Sequence, residues 1–122
     1  PFYPGTGAES ERGRGAGDGA TLNVPLAAAA GDEETQAALE AVILPALARL
    51  RPELLIVSAG FDAWRQDPLG GLRVTDEGFA AWGRALFAAA EGSARGRVLT
   101  VLEGGYDLDA LPRLAKRFLT AS

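Results

Sequence analysis

Two short apolar runs that break into small-residue turns constrain this chain more than anything else in it. The first is Leu54-Leu-Ile-Val-Ser-Ala-Gly-Phe-Asp62-Ala-Trp-Arg-Gln-Asp67-Pro-Leu-Gly-Gly71, and the second is Val98-Leu-Thr-Val-Leu-Glu103-Gly-Gly-Tyr106-Asp-Leu. A short apolar run bounded by turn residues is how a buried parallel strand reads. A polar side chain just past it stands at the carboxyl edge of the sheet, where open α/β proteins bind their ligands. One run presents a carboxylate, Asp62, and the other a phenol, Tyr106.

The rest of the chain supplies helices to cover such a sheet. Residues 8–20 are rich in Gly, Arg, Glu and Asp without periodicity and read as an exposed loop. Thr21-Leu-Asn-Val-Pro25 is expected as a short strand closed by its proline. Asp32 is expected to cap a helix reaching about Leu50, with Ala38, Leu39, Val42, Ile43, Ala46 and Leu50 as its apolar stripe. Pro45 predicts a kink or a restart inside it. A strand is expected over Leu54–Ser58, and Thr75 then caps a helix whose face carries Phe79, Trp82, Leu86 and Phe87 up to about Glu91. Val98–Leu102 is the next strand and Leu108–Leu119 the last helix. The order β-α-β-α-β-α predicts an α/β fold with a parallel sheet and helices on its faces.

Composition narrows the chemistry. The chain has 122 residues, 48% of them hydrophobic, enough for one modest core. A net charge of −4 gives no basic patch for nucleic acid, and no apolar run approaches the length of a membrane span. A cytoplasmic setting is the default expectation. Histidine and cysteine are both absent. Imidazole and thiolate are the usual zinc ligands, so this chain cannot complete such a zinc site alone.

Phe2-Tyr3-Pro4-Gly5-Thr6-Gly7, the Gly60-Phe61-Asp62 turn with Asp67-Pro-Leu-Gly70, and Glu103-Gly-Gly-Tyr106 together resemble the C-terminal part of the histone deacetylase family. They fall in the family's order along nearly the whole chain. The resemblance implies a three-layer α-β-α, arginase-like fold with a parallel sheet, incomplete here, and residues 1–122 as the C-terminal portion of one such domain. It implies a zinc-dependent deacetylase that hydrolyses acetyl-lysine or a related acetamide to acetate and a free amine. By position, Asp62 matches a zinc ligand, Tyr106 the phenol that polarises the scissile carbonyl, and Tyr3 and Leu69 the walls of the acyl tunnel. Trp64 departs from the histidine that many bacterial relatives carry, a change that touches loop shape. The resemblance implies that the remaining ligands and the histidine pair that activates water are to be expected in a segment preceding this one. The implied partners are therefore an acetylated lysine peptide or small acetylated amine, zinc, and the N-terminal half of the same domain. The chain alone is expected to be inactive and to retain no zinc.

The residues by themselves leave alternatives. A carboxylate just past a buried strand must be paired, hydrogen-bonded or metal-bound, and capping its own turn would serve. Tyr106 could be a half-buried rim residue, and Tyr3 an ordinary packing aromatic. Asp67 reads as structural, ordering its loop through nearby backbone. Besides a deacylase, the chain could be a non-catalytic α/β interaction domain derived from the same fold. An arginase-type dimetal hydrolase is disfavoured because the strand loop offers no Asp-x-Asp.

Overall fold

The computed structural model describes residues 4–121. A 3-10 turn at Gly15–Gly17 precedes a broken helix, made of α1 (Asp32–Ala38), a π turn (Leu39–Ile43) and α2 (Leu44–Leu50). Then come β1 (Leu55–Ala59), α3 (Asp76–Glu91), β2 (Val98–Leu102) and α4 (Leu111–Leu119). β1 and β2 pair in parallel, Leu55 opposite Val98 and Ala59 opposite Leu102, with α3 as the crossover between them.

The strand expected over Thr21–Pro25 does not form. Extended backbone becomes a strand only when a neighbour supplies the ladder, and none lies alongside among the described residues. The Asn23 amide instead donates to the carbonyls of Ala8 and Glu11, at 3.0 and 2.9 Å.

One face of the sheet is covered. Leu55, Val57 and Ala59 point into a core of Phe61, Phe79, Leu86, Leu114 and Phe118, where the Phe61 ring lies 5.2 Å from Phe79 and 6.1 Å from Phe118. Ile56 and Ser58, with their register partners Leu99 and Val101, stand exposed on the other face. The described residues thus build two of the three expected layers.

α3 starts where expected. The Thr75 hydroxyl accepts the Gly78 N–H at 3.2 Å, and Asp76 and Glu77 occupy the first turn. Phe79 and Leu86 are buried, with Trp82 and Phe87 half-buried beside them. Gly83 lets α4 approach so closely that a methyl group there would run into the Phe118 carbonyl.

The broken helix departs from its expected form in two ways. Gly31, not Asp32, is the N-cap, with its N–H bonded to the Glu34 carboxylate at 2.9 Å. Asp32 instead reaches across to α3, accepting the Thr75 N–H at 2.8 Å and hydroxyl at 2.6 Å. Pro45 has no N–H to give the preceding turn, and the restart expected there takes the form of the π turn, closed by Leu44 N–H to the Leu39 carbonyl. The extra residue shifts the stripe by one, so Leu47 packs on the core while Leu50 is exposed. α4 begins at Leu111 because the Asp107 carboxylate first takes the N–H groups of Asp109 and Ala110, at 3.1 and 2.8 Å. Among the described residues, no helix is long and apolar enough to cross a membrane.

Candidate active site

The parallel pairing continues beyond the strands and zips the two following loops together. Glu103 N–H donates to the Ala59 carbonyl at 2.9 Å, and Phe61 N–H to the Gly104 carbonyl at 2.7 Å. The loops carrying Asp62 and Tyr106 are therefore neighbours at the carboxyl end of the sheet, as the sequence predicts.

Glycines make room for Asp62. Its half-buried carboxylate lies against Gly60 and Gly104, and a Cβ at Gly104 would collide with it. A Cβ at Gly70 would strike the Asp62 carbonyl. No described residue donates a hydrogen bond to this carboxylate, which excludes the turn-capping role left open above. Half-buried, without a donor among the described residues and with glycine on two sides, the carboxylate has room for a cation beside it. It fits as one ligand only: among the described residues, no three His, Cys, Asp or Glu side chains converge.

Tyr106 follows two constrained glycines. Gly105 has φ of +135°, which L residues rarely adopt, and a Cβ there would sit 2.9 Å from the Leu111 side chain and 3.1 Å from Phe61. The Tyr106 ring is half exposed. Its main chain is fixed from the other loop, because Asp67 Oδ2 accepts the Tyr106 N–H at 2.7 Å. Asp67 Oδ1 accepts the N–H groups of Leu69 and Gly70, each at 2.9 Å. Burial pushes the Asp67 carboxyl upward, but the N–H donors of Tyr106, Leu69, Gly70 and Asp107 together hold it below the ordinary carboxylate range.

The floor of the site is tied to the core. Trp64 is buried, its indole N–H donates to Asp76 Oδ1 at 3.1 Å, and the Arg113 guanidinium lies 5.5 Å from its ring centre while pairing with Asp76. Val74 N–H bonds to the Ala63 carbonyl and Arg65 N–H to that of Val74, both at 3.0 Å, while Arg73 N–H bonds to Ala30 at 2.8 Å. Residues 72–74 thereby bridge the Asp62 loop to the segment before α1. Between them runs a cleft of about 420 Å³, with Asp62 and Ala63 on one side and Val24, Leu26 and Leu72 among its apolar lining.

The matches to known proteins agree with this arrangement. The family model for the histone deacetylase domain aligns with residues 1–122. The chain belongs to the histone deacetylase family. Histone deacetylase 10, chloroplastic, of Oryza sativa subsp. japonica is 42% identical over 109 residues, covering 89% of this chain and 25% of the relative. A probable deacetylase of Archaeoglobus fulgidus is 41% identical over 113 residues, 92% of this chain and 32% of the relative. The crystal structure of acetylpolyamine aminohydrolase from Burkholderia pseudomallei superposes with a TM-score of 0.87 at 31% identity, covering 98% of this chain and 34% of that one. These neighbours establish the deacetylase-like α/β fold. The chain spans about a quarter to a third of the length of these relatives.

Of the four residues singled out from the deacetylase motifs, Asp62, Leu69 and Tyr106 lie on the two adjoining loops, with Leu69 64% exposed at their lip. Tyr3 lies outside the described residues. The sequence pattern assigns Asp67 to its own loop and carries no sign of its reach to Tyr106. An Asp before a proline signals a local turn, and nothing local signals a partner on another loop.

Proposed function

We propose that this chain carries part of the active site of a zinc-dependent deacetylase acting on an acetylated lysine peptide or a small acetylated amine. The observation that carries the reading is the orphaned Asp62 carboxylate beside the Gly104-Gly105-Tyr106 turn, within a chain of the histone deacetylase family. Asp62 would be one zinc ligand, with the others supplied by the remainder of a full-length domain. Bound zinc would supply an activated water and polarise the amide carbonyl.

The chain's own residues take the remaining roles. Tyr106 would donate its hydroxyl to the oxygen that gains charge as the amide carbon becomes tetrahedral; a phenol is a neutral donor suited to that task. Leu69, exposed and uncharged, would line the mouth through which the acyl chain enters, and Tyr3, by its motif, is assigned to another wall position. The clustering of Asp62, Leu69 and Tyr106 supports an enzymatic reading over a non-catalytic interaction domain, which would need no such grouping. In this reading residues 1–122 are the C-terminal portion of a single catalytic domain, inactive and free of zinc when isolated. Cytoplasmic placement remains part of the proposal; two relatives are named as chloroplastic.

Tyr106→Phe in the full-length, zinc-loaded protein tests the assignment. It removes one hydroxyl and keeps the ring, so kcat should fall about 10²–10³-fold with KM changing less. A folded Phe variant that keeps more than about a tenth of the wild-type kcat would return Tyr106 to a packing role.

A further inference from the structure

Tyr106 has little of its own to hold it. Its ring is half exposed, and two glycines precede it. The Asp107 turn fixes the chain after it, through Asp109 and Ala110. What fixes the residue itself is Asp67, whose one carboxylate spans both site loops through the three N–H bonds to Tyr106, Leu69 and Gly70. Asp67 is anchored in turn: its N–H donates to the Trp64 carbonyl at 2.9 Å, and Trp64 is locked in the core. A rigid path therefore runs from the core through Trp64 and Asp67 to the main chain of Tyr106.

We propose that Asp67 is a positioning residue, whose carboxylate sets the loop bearing Leu69 and the loop bearing Tyr106 in a single register. In this role it acts through the main chain of its partners. The chemistry of the carboxylate matters. Two oxygens accept three N–H groups, which an amide cannot fully replace because one of its two termini is a donor. The catalytic consequence rests on the deacylase reading of Tyr106; the tether does not.

The test uses the full-length zinc-loaded protein and an acetyl-lysine peptide, comparing Asp67→Ala, Asp67→Asn, Tyr106→Phe and the double variants. Misplacing a reacting group by about 1 Å can cost roughly 10²-fold, so Asp67→Ala should lower kcat by about that factor, with a smaller rise in KM through Leu69. In the Tyr106→Phe background the same substitution should cost less than about threefold more, because the group it positions is gone. Amide exchange should quicken at Tyr106 in Asp67→Ala, and in Asp67→Asn at Tyr106 or at Leu69 and Gly70, whichever side the amide nitrogen takes. If the Asp67→Ala variant does not fold, Asp67→Asn, which keeps the shape, carries the same comparison. Losses that multiply in full across the double variant, or an exchange rate unchanged at Tyr106, Leu69 and Gly70 alike, would overturn the proposal. If Tyr106→Phe keeps wild-type kcat, the oxyanion reading fails instead, and the exchange rate alone decides whether Asp67 is the tether.

Discussion

At Gly104, a hydrogen where other residues carry a methyl group decides where the Asp62 carboxylate can lie. On the proposed role of Asp62 as a zinc ligand, Gly104→Ala should weaken zinc binding and activity in the full-length protein without unfolding it, measured as metal content beside a melting curve. Loss of zinc only together with loss of the fold would contradict this. Asp67 gives a pH prediction. Its carboxyl is lowered in the folded chain, so its contribution is complete above the unfolded value of about 3.9 and is lost as pH falls through the lowered folded value. The stability gap between wild type and Asp67→Ala should stay constant above about pH 5 and shrink in more acidic solution. A gap that widens on acidification would contradict the lowered carboxyl. The placement of Asp62 and Tyr106 at one sheet edge was legible in the sequence because each follows an apolar run by a short small-residue turn. The reach of Asp67 was not, since Tyr106 lies 39 residues away and pattern carries only local information.

Among the elements, the α3–α4 contact turns on Gly83. Alanine is worth about 1 kcal/mol over glycine inside a helix, yet here a methyl group would meet the Phe118 carbonyl, which is backbone and cannot swing away. Gly83→Ala should therefore destabilise by about 1–3 kcal/mol, as overpacking does, and denaturant unfolding would show it. A stabilised variant would mean that α4 yields freely. Strand and helix periods gave β1 to within a residue, β2, the start of α3 and the break near Pro45. They misplaced the Asp32 cap because the Thr75 main chain and hydroxyl, on another element, outcompete the local turn for that carboxylate. The false strand over Thr21–Pro25 has the same origin: extended sequence was present and a ladder partner was not.

On the scale of the whole molecule, the exposed face of the sheet is the main departure from a self-sufficient fold. Ile56 and Leu99 pair in register and are 57% and 51% exposed, with Val101 beside them. The apolar runs predicted cover on both sides, and the described residues provide it on one. The isolated 122-residue chain should bind a hydrophobic dye or self-associate, and Ile56→Thr with Leu99→Thr should reduce both. A sharp monomeric melt without dye binding would show that this face needs no cover. The zinc assignment meets its most direct test in metal content. In the full-length protein, wild type should carry zinc stoichiometrically, while Asp62→Asn, with one of about three protein ligands gone, should hold it at least about tenfold more weakly. The isolated chain should bind none tightly. Undiminished zinc in a folded Asp62→Asn variant, or tight stoichiometric zinc in the isolated chain, would contradict the assignment of Asp62 as one ligand of a shared site.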